Sequence, residues 1–237
     1  MLTRAAVIER LASAGCVAAE READELLAAA SDDATLETWL RRREQGEPPA
    51  WITGTTSFCG RPLHVAPGVY VPRAQTEELA RRAAALLPAS GTAVDLCTGA
   101  GAIAAHLRAE VPTATVVGVD IDPLAAACAK RNGVPAIMGD IARPLRTDPR
   151  VDLVTAVAPY VPTGAIEFLP ADVQAPRAEA RARRRGRRPG PRRRVVTAAA
   201  DLLDKGAWLL IEVGATRPMP SIRRSSTWVR PRRALGR

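Results

Sequence analysis

Hydrophobic positions in the first 50 residues recur at the spacing of an α-helix. Apolar side chains stand three or four positions apart in three stretches that are otherwise rich in Ala, Glu and Arg, namely residues 3–14, 17–30 and 34–46. Asp32 or Asp33 would cap the third helix, and Gly46, followed by a pair of prolines, would end it. The sequence therefore predicts a small helical N-terminal region at residues 1–50.

The pattern changes between residues 51 and 75. Apolar residues alternate with polar ones around turn-forming residues at 59–62 and 67–68, which predicts a β-hairpin that links the N-terminal region to the rest of the chain. A helix is expected next, at residues 76–87, with Thr76 as its N-cap and acidic residues in its first turn.

Beyond residue 90, short apolar stretches alternate with helical ones. Apolar runs of strand length lie at residues 94–97, 115–120, 136–138, 151–157 and 208–213, and helical patterns lie at residues 102–109 and 123–132. Strands that alternate with helices form parallel sheets with helices packed on their faces. We therefore expect an α/β fold, a doubly wound Rossmann-like sheet, in residues 76–216.

Charge is unevenly distributed along the chain. The net charge is +9, yet residues 177–194 alone contain ten Arg and one Glu, and residues 217–237 contain seven Arg and no acid. The rest of the chain is mildly acidic, so the net charge does not indicate a nucleic-acid-binding protein. We expect an Arg-rich disordered insert at residues 175–194 and a basic disordered tail at residues 217–237.

Both basic segments have an unusual composition, dominated by Arg with Ala, Gly, Pro and Ser. GC-rich codons give Arg, Ala, Gly and Pro when they are read out of frame. A frame disturbance in the coding DNA is therefore one hypothesis for these segments, and genuine low-complexity sequence is the other.

Cysteine and histidine usage excludes several kinds of site. Cys16, Cys59, Cys97 and Cys128 lie far apart without a C-x-x-C pair, which is typical of reduced thiols rather than of disulfides or a zinc site. The two histidines do not suggest a metal centre or a Ser-His-Asp relay. No apolar run approaches the roughly 18–20 residues that span a bilayer, and the N-terminus has no apolar signal core. We expect a cytoplasmic protein with no metal and no membrane partner.

Three acids at three strand ends surround one glycine-rich turn. Asp95 ends the first strand of the alternating region, and Gly99 and Gly101 follow where the chain turns into a helix. Asp120 and Asp140 follow the next two strands at the same, carboxyl edge of the sheet, where ligands bind in such folds. Taken singly, Gly99 could merely turn the chain, and Asp120 could be an ordinary strand-end residue. Together these residues predict a nucleoside site in which Asp120 binds the ribose hydroxyls and Asp140 faces the adenine edge.

The turn does not have the spacing of a dinucleotide site. A nicotinamide dinucleotide normally requires G-x-G-x-x-G, and here Cys97 replaces the first glycine and the third is missing. The pattern D-x-x-x-G-x-G at residues 95–101 is instead similar to motif I of the S-adenosylmethionine-dependent methyltransferases, in which the acid suits a positively charged ligand. Under this resemblance the cofactor-binding residues are Asp95, Cys97, Thr98, Gly99, Gly101, Asp120, Ile121, Asp140 and Ile141.

Four further segments resemble one family of these enzymes, the HemK/PrmC-type protein-glutamine N-methyltransferases. Residues 54–60 and 72–77 match its G-x-x-x-F-x-G and PR-x-x-TE segments in order and spacing, and residues 209–214 look like its late L-L-x-E-x-G strand. Residues 157–160, Val-Ala-Pro-Tyr, stand where the family has N-P-P-Y or N-A-P-Y. The implied fold is a seven-stranded methyltransferase sheet, here incomplete at its C-terminus.

The resemblance implies S-adenosylmethionine as the cofactor and methyl transfer to the side-chain amide nitrogen of a protein glutamine as the reaction. The family's substrate is the glutamine of the Gly-Gly-Gln motif in peptide-chain release factors, so a release factor is the implied partner, and we expect a monomer. The resemblance also implies substrate-binding roles for Phe58, Arg73, Thr76 and Glu77, and catalytic positions at Val157, Ala158, Pro159 and Tyr160.

One catalytic position departs from the family's pattern. In the family, the Asn side chain and a proline carbonyl accept hydrogen bonds from the substrate amide, which aligns a poor nucleophile with the methyl group. Here Val157 has no side-chain acceptor, whereas the carbonyl at Ala158 and the ring of Tyr160 are retained. We therefore expect cofactor binding with slow or no methyl transfer. Two alternatives stay open: an enzyme that methylates amino groups of adenine or guanine in nucleic acid, and an inactive cofactor-binding remnant.

Overall fold

The computed structural model describes residues 2–146, 151–158, 190–212 and 227–229. Its N-terminal region contains the three expected helices and a fourth, short one that the sequence pattern did not predict: α1 (Arg4–Ser13), α2 (Ala19–Ala29), α3 (Asp33–Glu44) and α4 (Pro49–Thr53). Asp32 caps α3 by accepting a hydrogen bond from the Thr35 N–H at 2.7 Å. These helices pack around a core of their own, which includes Val7, Leu11, Leu26, Leu36, Leu40 and Ile52.

The expected β-hairpin follows the helices. Its strands β1 (Thr55–Phe58) and β2 (Arg61–His64) pair in antiparallel fashion. Cys59 and Gly60 form the turn, with φ angles of 50° and 73°. The hairpin is shorter than the predicted segment, because the apolar residues 69–71 form no strand.

The helix after the hairpin is α5 (Thr76–Leu86). The prediction that Thr76 caps this helix was wrong, since Gln75 occupies the cap position and Thr76 is the first helical residue. The Thr76 hydroxyl donates instead to the carboxylate of Glu212 at 2.7 Å. A long-range hydrogen bond therefore takes the side chain that the local pattern assigned to the cap.

The rest of the chain confirms the doubly wound α/β fold. Its elements in chain order are β3 (Thr92–Leu96), α6 (Ala102–Glu110), β4 (Thr115–Asp120), α7 (Pro123–Arg131), β5 (Ala136–Met138), β6 (Val151–Ala156), α8 (Pro191–Leu202), β7 (Leu203–Ile211) and β8 (Thr227–Val229). The strand order across the sheet is β5-β4-β3-β6-β7-β8. The first five strands are parallel, and β8 pairs with β7 in antiparallel fashion.

Helices cover both faces of the sheet. Alternate strand residues point to opposite faces: Ala93 and Leu153 join one core with α5, α6 and α7, whereas Val94 and Val154 join the other core with α8. The chain runs outwards from β3 to β4 and β5, and outwards in the opposite direction from β6 to β7. The order therefore reverses between β3 and β6, and this reversal is where open α/β sheets bind ligands.

Two parts of the basic segments form regular secondary structure, although the sequence predicted disorder there. Residues 191–194 form the first turn of α8, and residues 227–229 form β8. The first difference has a packing cause, because Val195, Ala199 and Leu202 are buried against the sheet and fix the helix. Residues 175–189, 217–226 and 230–237 lie outside the described residues.

The described residues contain neither a membrane-spanning helix nor a metal-binding cluster. Within them, no helix is both long enough and apolar enough to cross a bilayer. The same residues hold no group of His, Cys, Asp or Glu side chains placed to bind a metal ion.

Candidate functional site

Three neighbouring strands end side by side at the point where the strand order reverses. Leu96 at the end of β3 lies opposite Ala156 at the end of β6, which lies opposite Ile211 at the end of β7. The residues that follow these three strand ends are Cys97 after β3, Val157 after β6 and Glu212 after β7. The backbone N–H of Glu212 donates to the Ala156 carbonyl at 3.0 Å, which continues the pairing by one residue. The predicted cofactor turn and the predicted catalytic loop therefore begin on adjacent strands.

The glycine-rich turn has the left-handed backbone that its sequence suggests. Gly99 and Gly101 have φ angles of 57° and 82°, and Cys97 between β3 and the turn has 59°. A Cβ added at Gly99 would meet nothing within 4 Å, so this part of the turn faces open space. A Cβ added at Gly101 would lie 2.9 Å from the Cβ of Ala129, so Gly101 allows α6 to begin close against α7.

Asp120 joins the end of β4 to the turn. One of its carboxylate oxygens accepts the Gly99 N–H at 2.9 Å, and the other accepts the Asp122 N–H at 3.0 Å. An ionised carboxylate accepts several hydrogen bonds at once, and hydroxyl groups are suitable donors to it. Asp120 can therefore hold the turn and bind a pair of ribose hydroxyls.

Asp95 is buried beneath this arrangement, with 2% of its surface exposed. The hydroxyl of Thr98 donates to one carboxylate oxygen at 2.6 Å, and that of Thr155 donates to the other at 2.7 Å. Burial raises the pKa of Asp95 to about 6, although both hydroxyl hydrogen bonds oppose the shift. Asp95 can therefore act on a ligand through its charge and through the turn that it anchors.

The fit of Thr98 against the sheet depends on a residue that sequence reasoning missed. A Cβ added at Gly118 in β4 would lie 2.9 Å from the Thr98 side chain. The contribution of Thr155 was also missed, because nothing in its local sequence indicates a bond to an acid on the neighbouring strand. Both become visible only once β3, β4 and β6 are side by side.

Asp140 follows β5 and has a partner of opposite charge. Arg194 of α8 forms an ion pair with it at 2.6 Å between Nη2 and Oδ2. Residues 140–143 and α8 line an open surface cavity of about 430 Å³, with both members of the pair in its lining. The sequence did not predict Arg194 as a site residue, because it belongs to a segment expected to be disordered.

The pKa of the Cys97 thiol is influenced by the three acids and by Arg194. Burial raises the pKa of the Cys97 thiol to about 12, and Asp120, Asp95 and Asp140 each add to the rise, whereas Arg194 opposes it. All three predicted acids thus contribute negative charge at Cys97. The thiol is not a nucleophile at neutral pH, since the thiolate is the reactive form.

The two remaining predicted cofactor residues are apolar. Ile121, directly after Asp120 in the chain, is 62% exposed. Ile141 is buried and has a φ angle of 56°. An exposed aliphatic surface beside a carboxylate suits the flat face and the hydroxyls of a nucleoside.

The predicted catalytic loop is described at its first two positions. Val157 is partly buried and packs against the core beneath α5, α6 and α7, and Ala158 is fully buried in the core beneath α8. Pro159 and Tyr160 lie outside the described residues. The valine side chain offers no hydrogen-bond acceptor at the position that the family fills with Asn.

The four predicted substrate-binding residues do not form one surface. Phe58 is 3% exposed and belongs to the core, and Thr76 is buried against Glu212. The guanidinium of Arg73 lies 5.7 Å from the centre of the Tyr70 ring. Glu77 pairs with Arg81 at 2.5 Å along α5. Of these residues, Arg73 and Glu77 are in positions that a partner could reach.

An adenosyl nucleoside fits the residues of this edge. The turn is open at Gly99, the Asp120 carboxylate is a hydrogen-bond acceptor beside it, and Ile121 presents an apolar surface. The buried charge of Asp95 favours a cationic ligand over a phosphate. The arrangement thus has acceptors for hydroxyl groups and negative charge for a cation.

Comparison with known proteins agrees with this geometry. Residues 68–139 match the family model described as "Methyltransferase small domain". The chain is 37% identical over 183 residues to the release factor glutamine methyltransferase of Geobacter sulfurreducens, an alignment that covers 74% of this chain and 63% of the relative. The chain is therefore similar to release factor glutamine methyltransferases over about three quarters of its own length.

Other relatives bear similar names. The release factor glutamine methyltransferase of Vibrio cholerae is 36% identical over 192 residues, which is 76% of this chain and 66% of that protein. A 4-amino-L-phenylalanine/4-methylamino-L-phenylalanine methyltransferase of Streptomyces pristinaespiralis is 39% identical over 138 residues, which is 53% of this chain and 47% of that protein. The chain thus spans just under two thirds of the length of the two glutamine methyltransferases.

Solved structures include more distant neighbours. The 16S rRNA N2 G1207 methyltransferase of T. thermophilus, in complex with AdoMet and guanosine, is 23% identical over 66% of this chain and 40% of that chain, with a TM-score of 0.45.

Proposed function

We propose that this chain binds S-adenosylmethionine at the carboxyl edge of β3, β4 and β5 and methylates the side-chain amide of a protein glutamine, at a rate that Val157 limits. The proposed acceptor is the Gly-Gly-Gln glutamine of a peptide-chain release factor, met by a monomer of this chain in the cytoplasm. The observation that carries the proposal is that the glycine-rich turn follows β3 while Val157 and Ala158 follow the neighbouring strand β6.

The proposed cofactor site uses residues of three strand ends. Asp120 would accept the ribose hydroxyls while it holds the Gly99 N–H, and Ile121 would pack on the adenine. The charge of Asp95 would favour the sulfonium group. When bound, the cofactor supplies an electrophilic methyl group on its positively charged sulfur.

The substrate amide needs alignment, because its nitrogen lone pair is delocalised into the carbonyl. In the proposed reaction a bond forms between this nitrogen and the methyl carbon, the carbon–sulfur bond breaks, and an amide proton leaves to solvent. The family resemblance implies the backbone carbonyl of Ala158 as the acceptor of one amide N–H, and this contact requires that Ala158, which is fully buried here, becomes accessible when the substrate binds. The second acceptor is missing at Val157, so one of the two hydrogen bonds that fix the nitrogen is lost. Loss of one oriented polar contact at a reacting centre lowers the rate about 10²–10³-fold.

The experiment is a methylation assay with the purified chain, labelled S-adenosylmethionine and a release factor, with the methylated residue located by mass spectrometry. Val157→Asn should raise the rate on the Gly-Gly-Gln glutamine about 10²–10³-fold. Val157→Leu is the matched control, because leucine has nearly the shape of asparagine without its acceptor, and it should give no gain.

Each other outcome contradicts part of the proposal. No gain with Val157→Asn in a chain that binds the cofactor would favour an inactive remnant. If the labelled methyl group appeared on RNA, DNA or free 4-aminophenylalanine instead of the release factor, the proposed methyl acceptor would be wrong. Absence of cofactor binding in the folded chain would overturn the proposal altogether.

A further inference from the structure

Arg194 brings a positive charge to a site whose other predicted ligand-binding charges are carboxylates. Its guanidinium lies 2.6 Å from the carboxylate of Asp140, and the two side chains are 28% and 20% exposed. Both line the cavity of about 430 Å³ between residues 140–143 and α8, together with Ile141 and Thr197. The ion pair is thus part of a wall that a ligand at the end of β5 would meet.

The position of Arg194 is set by helix packing. Its neighbour Val195 is fully buried, as are Ala199 and Leu202 at the following turns of α8, and all three pack against β6 and β7. The side chain of Arg194 therefore extends from a fixed position on α8 beside the sheet. A mobile surface arginine would not hold one geometry in this way.

The same guanidinium is close enough to the glycine-rich turn to influence Cys97. Arg194 opposes the rise in the pKa of that thiol, whereas Asp140 adds to it. Arg194 therefore contributes to the charge that surrounds the Cys97 thiol, in addition to its pairing with Asp140.

Hydrogen-bond chemistry then distinguishes two kinds of purine. A carboxylate accepts from the 6-amino group of adenine, which is the role expected of Asp140. A guanidinium has only donors, so it cannot bind that amino group but can donate to a 6-oxo group. While Arg194 is paired with Asp140, the pair offers a purine edge both an acceptor and a competing set of donors.

We propose that Arg194 is a base-specificity-determining residue of the nucleoside site, which weakens the preference for adenine over a 6-oxopurine by occupying Asp140 and by donating to the 6-oxo group. This inference rests on the proposed function, since it assumes that an adenosyl ligand binds here. Its consequence is a site that discriminates poorly between S-adenosylhomocysteine and its deaminated counterpart, S-inosylhomocysteine.

The test is to measure the dissociation constants of both ligands by calorimetry for the wild-type chain, Arg194→Met and Arg193→Met. The ratio of the inosyl to the adenosyl dissociation constant should rise about five- to tenfold in Arg194→Met, which removes one hydrogen-bonding partner of the base. Arg193→Met is the matched control, because Arg193 carries the same charge one residue earlier, lines the same cavity and is exposed. The ratio of the inosyl to the adenosyl dissociation constant in Arg193→Met should equal that of the wild type.

The outcomes separate this inference from the proposed function. An unchanged ratio in Arg194→Met, in a chain that binds S-adenosylhomocysteine, would overturn the inference and leave the proposed function standing. Failure of the wild type to bind either ligand would overturn both. Should Arg194→Met not fold by circular dichroism, Arg194→Lys serves instead, because lysine keeps a single donor group and should give an intermediate ratio; an unchanged ratio there would also contradict the inference.

Discussion

The hydroxyl of Thr76 donates to a carboxylate oxygen of Glu212 at 2.7 Å, across 136 positions of the sequence. Glu212 also accepts a hydrogen bond from the Gln75 side chain at 3.2 Å, and it is buried at the end of β7. The first turn of α5 is thereby fixed to the strand end beside Val157. Two sequence segments that resemble the same enzyme family, residues 72–77 and 209–214, are joined by this contact.

Removing the Thr76 hydroxyl should destabilise the chain. Thr76→Val keeps the branched shape but leaves a buried carboxylate with one donor fewer, which costs about 1–3 kcal/mol in the free energy of unfolding. Thr76→Ser keeps the hydroxyl and should lose much less. Urea denaturation of both variants tests this, and equal losses would show that the methyl group rather than the hydrogen bond matters.

Binding of S-adenosylmethionine should weaken in acid because of Asp95. With a pKa of about 6, the Asp95 carboxylate is mostly ionised at pH 7 and about one tenth ionised at pH 5. A cationic ligand favours the ionised form, so the affinity should fall up to about tenfold between these pH values. Calorimetry should show a smaller fall with S-adenosylhomocysteine, which has no sulfonium charge.

Asp95→Asn is the control for that pH dependence. Asparagine stays neutral throughout, so the affinity of the variant should be low and nearly constant between pH 5 and pH 7. A variant that retains the full wild-type pH dependence would assign the titration to a different group.

His106 of α6 should contribute to a loss of stability in acid. Its Nδ1 is buried with no hydrogen-bond partner among the described residues, and burial lowers the pKa of His106 from its usual 6.5. Below pH 6.5 the unfolded chain takes up a proton on this side chain before the folded chain does, so the folded state loses stability as the pH falls towards the lowered pKa. Unfolding free energies at pH 7.5 and pH 5 should differ less in His106→Leu than in the wild type. An unchanged difference would contradict this.

The helical N-terminal region depends on a buried ion pair between α2 and α3. The Arg43 guanidinium lies 2.6 Å from the Glu22 carboxylate, and the two side chains are 8% and 10% exposed. Glu22→Leu leaves a buried guanidinium without this partner and should cost about 3–5 kcal/mol. The double variant Glu22→Leu/Arg43→Met should recover most of the loss, because replacing both members of a buried pair by apolar residues is often neutral or stabilising. A double variant as unstable as the single one would contradict this account.

The sequence predicts features that depend on neighbours along the chain. The strands of the central sheet follow from short apolar runs, and the turn at Gly99 and Gly101 follows from its glycines and its place between a strand and a helix. These are local signals, and the acids at the strand ends follow from them once the sheet is known to be parallel.

What the sequence did not predict depends on residues far apart in the chain. Thr155 donates to Asp95, and Glu212 accepts from Thr76, only because β6 lies between β3 and β7. Arg194 was assigned to a disordered segment on composition, although the apolar residues that fix its helix begin directly after it. Burial of Phe58 likewise follows from packing, which a motif of a binding segment does not reveal.

Val157 directly follows Ala156, which is paired with Leu96 of β3 on one side and Ile211 of β7 on the other. Such a framework leaves the main chain little freedom to adapt to the side chain that it carries. A dormant enzyme and a competent one would then share the same scaffold and differ in a single functional group. Under the proposed function, a gain of turnover in Val157→Asn would be a change of chemistry without a change of architecture, and it would need no remodelling of the sheet.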